Sequence, residues 1–242
     1  MNYRTLGAFL FIAIISHTAH AQVGIAGYVD PAMTHNALIR ETSSEAAYKL
    51  IGPYKVVGTS FLFGEKNKGS LYTPESGASH GVFISYNTYN QEVEFFGAAN
   101  PNKALTKTPG QVDSMVIDAN PNVGLENPLK LIYGSHLGTN DKSFYVLVYK
   151  GNRFSLYKKY KSDLGYVSTN YVQSELRQFD LSFEFYYTDS TKSGIKKLKR
   201  NSANVVSEFK PVKDITSLVD PTDFSANPEA VLLNVFQFLN KD

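Results

Sequence analysis

From Tyr54 onward, short runs rich in Val, Ile, Phe and Tyr alternate with clusters of Gly, Pro, Asn and Asp. That is the sequence appearance of successive strands joined by turns. The pattern predicts strands near 55–58, 69–73, 80–87, 91–97, 111–118, 129–133, 143–150, 153–160, 180–188 and 194–199. The stretch 144–160, FYVLVYKGNRFSLYKKY, reads as a hairpin with Gly151 and Asn152 between its arms, a pair that tolerates the positive φ of a tight turn. In 80–97, HGVFISYNTYNQEVEFFG, Val82, Ile84 and Tyr86 share one face of a strand. Val93 and Phe95 share a face of the next, with Glu92 and Glu94 opposite and residues 87–90 turning the chain between them. The stretches 98–110 and 118–128 read as loops, each carrying Asn-Pro-Asn.

After residue 200 the period changes. Val231, Leu232, Val235, Phe236 and Leu239 recur at helical spacing within 227–240, with Asn227 as the cap, Pro228 in the first turn and Glu229 near the positive end of the dipole. Residues 201–209 and 212–220 read as two shorter helices. Before the strands, Ser43 or Ser44 caps a short helix through Leu50. The fold expected is mainly β: an antiparallel meander of about eight to ten strands forming a sandwich or a partly closed half-barrel, with short C-terminal helices covering one face or end.

The N-terminus carries its own signal. A short positive start, an apolar run over 6–15 and the small residues of Ala19-His20-Ala21 make a secretory signal, with cleavage expected before Gln22. The apolar run is shorter than the roughly 20 residues a spanning helix needs. The chain then divides into the removed signal, 1–21, a lead-in segment, 22–53, a β-rich domain, 54–200, and a helical segment packed on it, 201–242. The sequence contains no cysteine, which closes the lipoprotein route and removes disulfides and thiolate chemistry together. Its formal net charge of +2 sets up no global field toward nucleic acid. The strands expected are mostly too short for a membrane barrel, so the chain is not read as an integral membrane protein. Aromatic usage stands out, with 16 Tyr and 16 Phe but no Trp, and both residues favour half-buried pleated surfaces.

No catalytic constellation emerges, and no cofactor or metal is expected. His35, His80 and His136 are separated in sequence and lack a metal-ligand spacing. Ser135 and His136 are adjacent, so on a strand they face opposite ways. Glu92 and Glu94 on one strand face lie roughly 7 Å apart by the pleat, but glycosidase carboxylates normally come from different elements. They read as a solvated surface.

The series VVGTSFLFGEKNKGSLYT followed by GVFISYNTYNQEVEF resembles a group of exported envelope proteins of Bacteroidota. Gly58, Thr59, Phe61, Leu62, Gly69, Leu71, Tyr86, Asn87, Tyr89, Val93 and Glu94 fall on that group's pattern; this chain departs from it at Ser60-Phe61, where Pro-Tyr is usual, and at the long loops 98–110 and 118–128. The resemblance covers most of residues 54–242. It implies a β-rich envelope protein and carries over no catalytic residue. Asp113-Ser114-Met115 and Asp189-Ser190-Thr191 resemble the O-glycosylation sequon of such proteins, with Ser190 the better candidate and Ser114 the second.

The function expected is a non-catalytic envelope protein, periplasmic or at the cell surface, that binds a protein partner as an accessory subunit. The alternatives are a glycan or lipid binder and, least favoured, a carboxylate-dependent hydrolase. Candidate partner contacts are Tyr86, Asn87 and Tyr89, with the basic stretch Lys196, Lys197, Lys199 and Arg200, to which Lys158, Lys159 and Lys161 add charge. Tyr72, Tyr86, Tyr89, Tyr160 and Tyr166 are the candidate stackers for a glycan or an apolar ligand.

Overall fold

The computed structural model describes residues 49–51, 54–97, 102–107, 110–167 and 176–241. Their strands are β1 (Lys49–Ile51), β2 (Tyr54–Val57), β3 (Asn67–Thr73), β4 (Gly77–Asn87), β5 (Glu92–Phe96) and β6 (Ala104–Lys107). They continue as β7 (Ser114–Ile117), β8 (Leu129–Tyr133), β9 (Phe144–Tyr149), β10 (Phe154–Tyr166), β11 (Leu176–Asp189) and β12 (Ile195–Lys197). Three helices follow: α1 (Ser202–Phe209), α2 (Pro221–Ala226) and α3 (Pro228–Leu239).

All of the strands join one open sheet, in the order β1-β2-β11-β10-β9-β8-β7-β3-β4-β5-β6, with β12 on β11. The mainly β expectation holds, and most neighbours are antiparallel hairpin partners. Two pairings break the simple meander. β3 pairs with β7, joining the β3–β6 wing to the later strands, and β2 pairs with β11 in parallel. At the first junction β3 and β7 approach closely at Gly69, where a Cβ would lie 2.1 Å from the Val116 carbonyl oxygen. No larger residue fits there without moving the strands.

The sheet curls. Thr88, in the turn after β4, bonds to Ser162 in β10, although β3, β7, β8 and β9 separate those strands in hydrogen-bond order. Its hydroxyl and amide both donate to the Ser60 carbonyl at 2.8 Å. The Ser162 hydroxyl meets Thr88 Oγ1 at 2.6 Å, and the Ser162 amide donates to the Thr88 carbonyl at 3.0 Å. Gln91 completes this clasp, its carboxamide donating to the carbonyls of Thr88 and Tyr160 while its Oε1 accepts from the Tyr86 hydroxyl. The curl encloses a core of Ile84, Tyr86, Met115, Ile117, Leu131 and Phe144. Tyr86 and Phe144 meet edge to face with centroids 5.5 Å apart.

The helices cover the concave face of β10 and β11. Phe154, Leu156, Phe185 and Tyr187 pack there against Phe209 and Phe236. Asn227 caps α3 as expected, accepting from Ala230 N, and Val231, Leu232, Val235, Phe236 and Leu239 are all buried. At the far end of α3, Asn240 plugs the β9–β10 turn. Its Oδ1 accepts from the amides of Arg153 and Phe154, and its Nδ2 donates to the carbonyls of Phe154 and Phe236.

Several local expectations are corrected. Gly151 is required by close approach and not by positive φ: a Cβ there would meet the Asn240 carboxamide at 2.3 Å. Leu50 lies in β1, paired with Lys55, so no helix runs through it; Ser43 and Ser44 lie outside the described residues. Residues 104–107 form β6, an edge strand inside an expected loop. Residues 212–220 hold only a single 3-10 turn at Thr216–Leu218. There Asp220 opens α2, accepting from Thr222 N and Asp223 N ahead of Pro221. β4, β10 and β11 run to 11, 13 and 14 residues, longer than the strands expected there. Among the described residues no helix is long and apolar enough to cross a membrane.

A Thr88→Val variant leaves the buried Ser162 hydroxyl without its Thr88 partner and takes from the Ser60 carbonyl one of the two bonds it accepts from Thr88. It is expected to lose about 1–3 kcal/mol, the cost of orphaned buried polar groups, read as a lower urea midpoint with an unchanged denaturant slope.

Candidate functional site

β11 is where the sheet, the basic stretch and the helices meet. Alternation along the strand turns Phe183, Phe185 and Tyr187 toward the helices and Glu184 and Tyr186 to the other face. Its outer edge is shared. β2 pairs with residues 176–178 and β12 with residues 186–188. After β12 the chain follows that edge back: Leu198 N donates to the Phe185 carbonyl at 2.8 Å, and the Arg200 guanidinium donates to the Phe183 carbonyl. Leu181, 53 % exposed, lies between the two covered stretches.

Beside this edge is a cleft of about 360 Å³. Phe183, Phe185, Phe224 and Leu232 form its apolar part, and Lys199 and Arg200 stand on its rim. Lys158 lies under the aromatic stripe, its Nζ 4.1 Å from the Phe183 ring centre and 2.7 Å from Glu229 Oε2. Burial opposes its charge, but the hydrogen bonds that it makes, first of all the one it donates to Glu229, prevail and hold its pKa above the ordinary lysine value. The stripe is therefore backed by a fixed cation. Lys199 makes no ion pair with a carboxylate among the described residues. The arrangement suits an apolar group that carries negative charge at its outer end.

The structure scatters the sequence-predicted residues. Tyr86 and Asn87 are 0 % exposed and are not surface contacts. Burial raises the Tyr86 pKa well above the ordinary phenol value, and the Asn87 side chain holds the turn by accepting from the amides of Tyr89 and Asn90. Tyr89 is half-buried, edge-on to Phe179 at 5.7 Å. Glu94 is 1 % exposed, which corrects the solvated reading. It lies opposite Ser85, whose hydroxyl donates to the Glu65 carbonyl of the preceding loop. Glu92 accepts from the Asn90 carboxamide.

The basic residues divide as well. Lys196 pairs with Glu208 and Lys197 with Glu184, so of that stretch only Lys199 and Arg200 reach the cleft. Lys159 pairs with Asp141 and Lys161 with Asp163. Of the stackers, Tyr160 is near Phe183 at 6.2 Å, Tyr72 is edge-on to His80, and Tyr166 covers the Arg177 guanidinium. They form no common platform. Ser190 is exposed on the turn between β11 and β12, while Ser114 is half-buried in β7. Ser135 and His136 lie in a 3-10 turn instead of a strand, and His136 Nε2 meets Asp113 Oδ1 at 2.8 Å. His35 lies outside the described residues.

Phe183, Phe185, Leu181 and Phe224 were not singled out in the sequence. The only signal for the first three was the alternation in LSFEFYY, which any half-buried strand shows.

The convex face carries a separate polar network. Asp141 accepts from the hydroxyls of Ser143 and Tyr145 and from Lys159. Burial works against its charge, but the bonds from Lys159, Ser143 and Tyr145 together win and lower its pKa. Glu184 is lowered in the same way by Lys197 and Tyr186 acting against burial.

Carboxylates with depressed folded-state pKa values stabilise the fold above their unfolded value, about 4, and lose that contribution as pH falls through the folded value. The melting temperature is thus expected to hold from pH 7 to 5 and drop below about pH 4. Asp141→Asn is expected to flatten part of that drop. Separately, Glu229→Gln strands the Lys158 ammonium among rings, and chemical denaturation is expected to report a loss of about 1–2 kcal/mol for this partly exposed pair.

Comparison with protein-family models, curated proteins and solved structures gives no match for this chain.

Proposed function

We propose that this protein is a non-catalytic, exported component of the cell envelope that binds another protein through the cleft beside β11, acting as an accessory subunit. The observation that carries this reading is the juxtaposition of an apolar hollow, two cations on its rim and an exposed apolar edge at Leu181. Apolar floors with a few placed charges favour recognition, the floor supplying burial and the rim setting orientation. The secretory signal and the resemblance to exported envelope proteins of Bacteroidota support the compartment. Ser190, exposed beside β12, is the favoured position for a glycan, which would face solvent without touching the cleft.

The glycan or lipid reading stays second, favoured by the cationic rim alone. A volume of about 360 Å³ is near the lower limit for ligand pockets, too small for a two-chain lipid. The concave sheet is filled by its own core.

A photo-reactive residue at Ser225, on the cleft wall, tests this in native envelopes. A single stoichiometric protein crosslink that Lys199→Glu weakens is the expected result. Equal crosslinking by both versions, or none from the wild-type rim, would overturn the assignment of the cleft.

A further inference from the structure

Building on the cleft as a protein-binding site, we propose that it captures the free C-terminus of a partner polypeptide. The last residues of the partner lie along β11 at Leu181, the terminal apolar side chain enters the hollow at Phe183, Phe185, Phe224 and Leu232, and the terminal carboxylate meets Lys199 and Arg200.

The edge of β11 dictates how a chain can add to it. Leu198 N bonds to the Phe185 carbonyl, so the backbone groups of residues 185, 183 and 181 all face this edge, by the alternation of a strand. Arg200 takes the Phe183 carbonyl. The Leu181 N–H and C=O and the Phe183 N–H pair with no strand among the described residues. They offer the main-chain bonding of strand addition.

The space there is short, bounded below by β2 and closed above by residues 198–200. β2 leaves the edge after Val57, where Gly58 turns away at φ 82°. Residues 198–200 reclaim the edge from the other side. Gly58 still lies beside Phe179, so the open gap up to Phe183 spans about four residues, roughly 13 Å at the rise of a strand. A chain running on past Phe183 would collide with Leu198, so it has to end there. This excludes a second copy pairing through its own β11, which is 14 residues long, and favours a terminus.

Charge identifies which terminus. The closed end is the cationic end, with Lys199 lacking a carboxylate partner among the described residues and Arg200 beside it. A terminal carboxylate is attracted there and a terminal ammonium is repelled. The bound segment therefore runs parallel to β11, as β2 does below it. The hollow of about 360 Å³ accommodates one large side chain, which selects an apolar, preferably aromatic, last residue.

The test uses the full folded chain and a fluorescein-labelled peptide, Gly-Thr-Val-Thr-Val-Phe with a free terminal carboxylate, read by fluorescence anisotropy. Two control peptides carry a terminal amide or an added Ser-Gly after the Phe. The free acid is expected to bind at least tenfold more tightly than either control. Lys199→Glu is expected to weaken the acid at least fivefold and leave the amide unchanged. Ser225→Trp, which stands a ring in the mouth, should abolish binding, with melting curves confirming that both variants fold. Equal binding of acid and amide, equal binding of the lengthened peptide, or no binding of the acid overturns the C-terminal reading. The Ser225 crosslink decides independently whether the cleft binds a protein at all.

Discussion

The curled shape depends on Thr88. A sheet whose hydrogen-bond order ends in β1 on one side and β6 on the other has no ladder to hold it bent. The bend is held by the turn after β4 reaching β10, where the hydroxyl and backbone of Thr88 satisfy Ser60 and Ser162 in a site closed to water. Buried polar groups that are all partnered specify one geometry, because any slip leaves several of them unsatisfied at once. Tyr86, Thr88 and Gln91 thus act as a unit, and the buried Tyr86 and Asn87 side chains serve the closure of the fold.

With the sheet bent, the concave face is divided between two fillers. The β3–β9 half is occupied by its own side chains, and the β10–β11 half by the helices. Asn240 fixes one end of α3 against the β9–β10 turn, and Lys158 holds the other through Glu229. The helices do not seal the strip of β11 between Leu181 and Phe185, and the chain after β12 leaves two cations on its margin. The cleft is a consequence of where these two tethers place the helices.

Much of this was legible in advance. The alternation of residues 80–97 gave β4 and β5 with the right faces, and Asn227-Pro228-Glu229 gave the start of α3, because caps and period-two burial are local physics. β6 was illegible because a short edge strand needs only half its backbone paired and no buried face. Gly151 was assigned the wrong reason because its neighbour, Asn240, is distant in sequence. The buried state of Glu94 and Asn87 was equally hidden, since a polar residue reads as exposed until a loop is seen to cover it.

The sequence by itself determined the strand-rich body, the helical end and the faces of the regular elements, since propensity, capping and alternation act within a few residues. Tertiary structure alone decided which residues meet. Lys199 and Arg200 became a rim, and Lys196 and Lys197 did not, because Glu208 and Glu184 arrive from α1 and β11. Phe183, Phe185 and Phe224 became a cleft because strand and helix come together across many residues of chain. Such encounters are set by the minimum free energy of the whole packing, to which no short window of sequence has access.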